Sequence, residues 1–261
     1  MSLITLTTDH GTKDFTVSAI KGTIYKNLPE AKIVDISHDV PKFDIMQAAF
    51  ILRNAYPHFP KNSIHIIGVL PDESPDKPHI VVQYKNQFFI GADNGMFSLL
   101  MDDKPDQIIE LNISATLEDD FIRPTRDVFV KAACHIARGG TLEVLGRKKE
   151  NFNERSMFRA IVNENSIRGT VIYVDNYGNA ITNISELLFK EVRRGRPFTI
   201  SFRVPGYDIH KISNRYHDVP PSERLALFGS TDFLEISINV GNASELLGLN
   251  INDIVTVSFH Q

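Results

Sequence analysis

Apolar and polar positions follow two different rhythms along this chain, and the change falls near residue 160. Leu3 to Thr7 alternates as a strand and runs into the polar stretch Thr8-Asp-His-Gly-Thr-Lys-Asp14, after which Phe15, Ala19, Ile20 and Ile24 recur at helical spacing. A second strand is expected over 32–36, and Asp44 stands where it can cap a helix carrying Ile45, Ala48, Ala49, Ile51 and Leu52. Ser63 to Leu70 reads as a buried strand that ends in a loop, Pro71 to Pro78. His79–Tyr84 and Gln87–Ala92 form a predicted hairpin turning at Lys85-Asn86. Asp93-Asn-Gly95 opens a helix through Met96, Phe97 and Leu100, and Asp127 starts another that stops at Gly139-Gly140. Strands alternating with helices predict an α/β domain over 1–162 with a largely parallel sheet. Ligands of such sheets sit at the carboxyl ends of strands, where the Asp9, Asp72 and Asp93 loops all fall.

Beyond that point short strands dominate, at 170–174, 180–184, 197–204, 224–228, 233–238 and 253–259. Gly241 to Leu249 is the one helical turn expected among them, and 205–222 reads as a long loop of the kind used for lids or interfaces. A smaller β-barrel domain over 163–261 follows. Its first two strands are interrupted by Asp175-Asn-Tyr-Gly-Asn179, a polar knot that suits either a tight turn or a site.

Composition narrows the function classes. The 261 residues are 42% hydrophobic and 23% charged, which is ordinary globular usage. A net charge of -4 and the absence of a long basic run argue against nucleic acid as a partner. No window is long enough to span a bilayer and no leader pattern opens the chain, so a cytoplasmic protein is expected. The single cysteine, Cys134, excludes an internal disulfide and a cysteine-rich metal site, and reads as an inert thiol on a packed helix face. The nine histidines form no HExxH or comparable ligand set, so no metal is expected. No Walker-type loop or GxGxxG follows a strand.

Taken in order, several stretches carry a resemblance. They are Thr7-Thr-Asp-His-Gly-Thr-Lys-Asp14 with Lys21-Gly22, Val34-Asp-Ile-Ser-His38, Ala92-Asp-Asn-Gly95, Arg126-Asp-Val-Phe129, Asp175 to Ile184, and Gly229 to Ile236 with Gly241-Asn-Ala243. The chain resembles the S-adenosylmethionine hydroxide adenosyltransferases, relatives of the fluorinase and chlorinase enzymes. The resemblance implies an α/β N-domain, a β-barrel C-domain, and a homotrimer that binds an adenosyl ligand between neighbouring subunits. It implies that Asp9 takes the ribose hydroxyls and that Asp14 and Asp175 flank the methionine ammonium. Ser230 would bind the methionine carboxylate, Tyr177 and Asn179 the adenine, and Phe43 would wall the ribose. As residues alone, Asp9 and Asp14 also suit loop and helix-capping roles, Ser230 a turn and Phe43 the core. S-adenosylmethionine would be substrate or ligand, and no cofactor is implied.

The catalytic positions depart from the family. Its water-activating Asp, Arg and His fall here on Leu70, Lys77 and Pro124. The halogenating relatives' aromatic and threonine fall on Leu70 and Glu73, and Thr125 stands at their halide-contacting serine. A carboxylate at Glu73 would repel a halide. The sulfonium is already a good leaving group, so the chemistry needs only an oriented nucleophile and, for water, a proton acceptor. The expected function is cleavage of S-adenosylmethionine to adenosine and methionine. Glu73 is the candidate base among the loop residues Asp72, Glu73, Lys77 and His79, with Thr125 beside the nucleophile. Transfer to an unknown acceptor and a non-catalytic adenosyl-binding trimer are the alternatives.

Overall fold

The computed structural model describes residues 3–112, 122–156, 159–202 and 206–260. The chain divides into two compact units, 1–157 and 158–261.

The first unit runs β1 (Leu3–Thr8), α1 (Thr16–Asn27), β2 (Lys32–Ser37), α2 (Ile45–Ala55), β3 (Ile64–Gly68), β4 (His79–Tyr84), β5 (Gln87–Ala92), α3 (Met96–Leu100), β6 (Gln107–Leu111), α4 (Val130–Ala137) and β7 (Gly146–Lys149). Its sheet has the order β2-β1-β3-β5-β4-β6-β7. The first three pairings in that order are parallel and the last three antiparallel, so the sheet is mixed, with its parallel half around β1. The switch comes at the hairpin, where Lys85 and Asn86 take φ 50° and 61°, the double left-handed turn that matches strand twist. Alternation along the strands sends Ile4, Leu6, Ile64 and Ile66 against α1 and α4, and Ile67, Ile80, Val82 and Phe89 against α2 and α3. The inner parallel strands β1, β3 and β5 are therefore buried on both faces, whereas β2 at the sheet edge is largely exposed.

Asp44 caps α2 as expected, its Oδ1 accepting from the Met46 and Gln47 amides at 3.0 and 3.1 Å. Phe15 does not join the core face of α1. It is exposed, and Val17, Ile20 and Ile24 are the buried positions. The helix expected from Asp127 starts earlier, as a π-helical turn over Thr125–Phe129 that runs into α4. Asp127 sits inside that turn, with Oδ2 accepting from the Arg123 amide at 2.8 Å.

The second unit contains β8 (Ile161–Asn163), β9 (Ser166–Val174), β10 (Ala180–Ser185), α5 (Glu186–Arg193), β11 (Phe198–Phe202), β12 (Arg224–Phe228), β13 (Phe233–Ile238), α6 (Ala243–Leu247) and β14 (Ile254–Phe259). All pairings are antiparallel, in the order β11-β14-β9-β10-β13-β12 with β8 on β9. The end strands are joined through 209–213. Ile200 and Ile209 exchange both backbone hydrogen bonds, at 2.8 and 3.0 Å, and the Ser213 amide donates to the Ala226 carbonyl at 2.7 Å. That segment gives the sheet its barrel-like closure and removes two open edges. Within the loop expected over 205–222, residues 209–213 are thus part of the barrel wall, while residues 203–205, including the end of the strand expected at 197–204, lie outside the described residues. A second correction is α5, where few helical windows were expected. Ser185 Oγ accepts from the Leu188 amide at 3.2 Å, and Phe189 is buried among Phe198, Phe228 and Phe259.

Candidate functional site

In the first unit β1, β2, β3 and β5 are mutually parallel, so the residues following them gather along one edge. Asp9 follows β1. Its Oδ2 accepts from the Phe43 amide at 2.9 Å, and His10 Nδ1 lies 3.5 Å from Oδ1. Burial lowers the His10 pKa, which keeps that ring neutral near pH 7. Phe43 adopts φ 65°, rare for a bulky residue, and its ring is exposed rather than part of a core. Asp14 is exposed, and its Oδ1 accepts from the Thr16 amide at 2.8 Å in the first turn of α1. That bond holds its carboxyl below the usual range.

Behind Asp9 four side chains form a line. The Thr8 hydroxyl lies 2.7 Å from His38 Nδ1, His38 Nε2 lies 3.0 Å from Asp35 Oδ1, and Lys21 Nζ reaches Asp35 Oδ2 at 2.5 Å. The Asp35 carboxylate faces Nε2, and the Thr8 hydroxyl pairs with Nδ1. The His38 carbonyl accepts from the Gly11 amide at 2.7 Å, which ties the Asp9 turn to the end of β2.

The loop after β3 is held at both ends. His79 Nε2 donates to the Pro71 carbonyl at 2.8 Å, and the Asp93 amide donates to the Pro78 carbonyl at 2.8 Å. Glu73 Oε2 stands 3.7 Å from Nδ1 of the buried His79, whose pKa burial lowers. Asp72, one residue earlier, borders a cavity of about 170 Å³ between α1 and residues 122–126. Glu73 is not among the residues lining that cavity. Thr125 is, and it is 3% exposed with a hydroxyl that meets no hydrogen-bond partner. Its side chain closes on Gly68, where a Cβ would come within 2.8 Å of both Oγ1 and Cγ2.

The family's triad positions are spent otherwise. Leu70 takes φ 45° and packs against the α2–α3 core. Lys77 is exposed, its backbone paired with Ser74, and Pro124 forms part of the cavity wall. Asp93 is fully buried, accepting from the Asn153 amide at 2.7 Å and lying 3.4 Å from Lys149 Nζ. Burial raises its pKa, and its contacts are those of a brace for the 149–153 segment.

In the second unit the polar knot is a turn built on Asp175. Its Oδ1 accepts from the Tyr177 and Asn179 amides, both at 2.9 Å, and Oδ2 from the Asn179 side-chain amide at 2.9 Å. The Asn179 amide group is buried, whereas the Tyr177 ring is 78% exposed. Gly178 lies against Asn242, the cap of α6, so this turn and the Gly241-Asn-Ala243 stretch meet. Ser230 is exposed in the β12–β13 turn. Sequence reasoning missed a neighbouring pair. The Tyr216 hydroxyl donates to Oε1 of the buried Glu235 at 2.8 Å, and Ser237 Oγ donates to the same oxygen at 2.7 Å. A glutamate inside a mostly apolar strand was the available signal for Glu235; Tyr216, in a three-residue 3₁₀ turn over Tyr216–Asp218, had none.

Among the described residues no group of three or more His, Cys, Asp or Glu side chains is placed to hold a metal, and no helix is long and apolar enough to cross a membrane.

A three-layer α/β unit with a polar strand-end site, followed by an antiparallel barrel-like unit, defines the class of protein. Residues 4–146 match the family described as SAM hydroxide adenosyltransferase N-terminal domain, and residues 169–256 match its C-terminal domain. The chain belongs to the SAM hydroxide adenosyltransferase family. It is 29% identical to a protein of Methanocaldococcus jannaschii named (R)-S-adenosyl-L-methionine hydrolase, over 99% of this chain and 97% of that one. A Thermus thermophilus protein of the same name is 28% identical over 92% and 93%. Among solved structures, an uncharacterized conserved protein from Thermotoga maritima superposes with a TM-score of 0.85 at 26% identity, covering 99% of this chain and 100% of that one.

Proposed function

We propose that the protein hydrolyses S-adenosyl-L-methionine to adenosine and L-methionine, by attack of water at the ribose 5′-carbon. The observation that carries this is membership of the family across both units, with relatives named as hydrolases of that compound over nearly their whole length. The chemistry suits the residues present. A sulfonium leaves as a neutral thioether, so neither a general acid nor a cofactor is required, and a walled pocket with an oriented water is enough.

In this reading Asp9 accepts from the ribose hydroxyls while the Phe43 amide fixes its carboxylate, and the exposed Phe43 ring covers the sugar. Asp14 and Asp175 offset the methionine ammonium, Ser230 takes the carboxylate, and Tyr177 and Asn179 hold the adenine. The Asp175 carboxylate already organises its own turn, so it would present a preformed acceptor rather than a mobile one. A cytoplasmic homotrimer is part of the same proposal.

The test is incubation of purified protein with S-adenosylmethionine in ¹⁸O-labelled water, with adenosine and methionine followed by chromatography and mass spectrometry. Catalytic release of both, with the label in the adenosine 5′-hydroxyl, is the expected result. Binding without release, or a product that depends on added halide, would overturn it. Light scattering at three times the 29.4 kDa chain mass checks the trimer.

A further inference from the structure

Glu235 is a buried carboxylate to which the proposed chemistry gives no task. It is 5% exposed, and among the described residues no Lys, Arg or His forms an ion pair with it or with Asp175. A carboxylate taken out of water without a countercharge is costly, and a bound cation offsets that cost. The strand register puts Glu235 on the same face as the Asp175 turn. Ile181 pairs with Tyr173 on one side and with Glu235 on the other, and Glu235 pairs in turn with Leu227. Residues opposed across antiparallel strands share a face, and so do residues two apart along a strand. Asp175, Asn179, Glu235 and Ser237 therefore line one face, and Leu234 and Ile236 point the other way into the barrel core. Tyr216 lies over that polar face. Its hydroxyl donates to Glu235, and its pKa is raised by burial, then by Glu235, and also by the Asp175 charge.

A count of acceptor sites shows what is left open. A carboxylate offers about four. Asp175 has filled three of them, with the Tyr177 and Asn179 amides and the Asn179 side chain. Glu235 has filled two, both on Oε1, with Tyr216 and Ser237. Its Oε2 accepts no hydrogen bond among the described residues and keeps some accessible surface. That oxygen lies against Gly229, where a Cβ would come within 3.1 Å of it, and Ser230 is the next residue. An ammonium brings three donors, more than the one site left on Asp175 can take.

We infer that Glu235 is a specificity residue for the α-ammonium of the ligand's amino-acid end, which its Oε2 binds together with the last open acceptor of Asp175. The assignment rests on the hydrolase reading above and adds the group that tells an α-amino acid from a nucleoside thioether without one. The ammonium and carboxylate of an α-amino acid stand on one carbon, so their two sites must be adjacent. Glu235 Oε2 against Gly229, with Ser230 following, meets that requirement. Ile181 and Leu227, buried on either side of Glu235, supply apolar ground for the methylene groups of the chain. Tyr216 and Ser237 act through Glu235: by holding Oε1 they leave Oε2 for the ligand.

The experiment is calorimetry on the full-length protein and on Glu235→Gln, Glu235→Asp and Glu191→Gln, with the melting temperature of each. Three ligands are compared: S-adenosyl-L-homocysteine, its analogue with hydrogen in place of the α-amino group, and adenosine. The first carries the amino-acid end without the reactive sulfonium. The wild type is expected to prefer it over the analogue by about tenfold or more, about 1.4 kcal/mol. Glu235→Gln keeps the volume and an oxygen for Tyr216 and Ser237. It is expected to remove most of that preference, to leave the other two ligands within about twofold, and to raise KM for S-adenosylmethionine with kcat within about threefold. Glu235→Asp keeps the charge but draws it back by one methylene, so an intermediate preference is expected; it reads the same ratio if Glu235→Gln does not fold. Glu191→Gln removes a charge elsewhere in the unit and is expected to change nothing. A preference for the amine that survives in Glu235→Gln would overturn the assignment. So would an equal loss of all three ligands, which would make Glu235 a prop for the turn, or a wild type with no preference for the amine. A wild type that binds none of the three would instead overturn the hydrolase reading itself.

Discussion

The Asn94 side-chain amide donates to the carbonyls of both Val69 and Leu70, at 3.3 and 3.2 Å, and so fastens the turn in which Leu70 takes φ 45°. A leucine in that region is strained by roughly 1–3 kcal/mol and persists only where its surroundings fix it. The same side chain accepts from the Met96 amide at 3.2 Å, which caps the start of α3. Asn94→Ala removes all three contacts. It is expected to lower unfolding free energy by about 1–3 kcal/mol, measured as a shift of the urea midpoint at unchanged slope. A change below about 0.5 kcal/mol would mean that the β3 loop is held by its other ties alone.

His65 makes stability depend on pH. It is fully buried, with Nε2 donating to Gln87 Oε1 at 2.6 Å and Nδ1 accepting from the Thr5 hydroxyl at 2.7 Å. The tautomer follows from Gln87, whose amide nitrogen already donates to the Tyr56 and Phe59 carbonyls. Burial lowers the His65 pKa from 6.5 to about 4. Between those values the unfolded chain binds a proton that the folded one does not, so this contribution is complete above pH 6.5 and is lost as pH falls to about 4. The linkage amounts to about 3 kcal/mol. Urea melts across that window should show the loss, and His65→Gln should flatten it. His10 and His79, also lowered by burial, leave a residual slope in the variant. An imidazole of His65 titrating near 6.5 by NMR would refute this account.

Legibility of the sequence varied with the physics behind each element. β1, β2, β3 and the β4–β5 hairpin are apolar runs with sharp punctuation, and each lies where the pattern put it. β7, Gly146-Arg-Lys-Lys149, has no apolar residue because it is an edge strand, paired on one side only. α5 carries Leu188, Phe189 and Val192 on one face behind a Ser185 cap, but eight residues give too short a period to stand out. Beyond the β4–β5 hairpin, the antiparallel pairings through β6 were hidden for a similar reason, since β6 supplies only five residues.

At the candidate site, Asp175 and Asn179 form the tight turn that was one of the two alternatives left open by their residue types. Thr125 could be marked by its position, but its unpaired hydroxyl is a property of packing. Choosing between Asp72 and Glu73 was beyond the sequence, because adjacent loop residues follow no period. In the folded loop Asp72 borders the cavity while Glu73 stands 3.7 Å from His79 Nδ1.

Tyr216 and Glu235 form a coupled pair that can be measured directly. Burial, followed by the Glu235 carboxylate, raises the Tyr216 pKa above that of an ordinary phenol. Ultraviolet titration should show one tyrosine ionising later than the rest, and Tyr216→Phe should remove it. A double-mutant cycle with Glu235→Gln is expected to give a coupling of up to about 1.5–3 kcal/mol, the range for a hydrogen bond to a charged group. Zero coupling would place the two side chains apart in solution.

Asp9 offers the sharpest separation of binding from folding. Its carboxylate accepts from the Phe43 amide on one oxygen, and ribose would present two adjacent donors to it. Asp9→Asn can keep an oxygen for Phe43 but turns a donor toward the sugar. Asp9→Ala loses both acceptors and leaves the Phe43 amide without its partner. Each substitution is expected to weaken adenosine binding at least tenfold, about 1.4 kcal/mol, in calorimetry. The melting temperature should fall in Asp9→Ala and hold within a degree or two in Asp9→Asn. Affinity retained in Asp9→Asn would remove the carboxylate from ribose recognition, and leave it the narrower task of holding Phe43 in its left-handed turn.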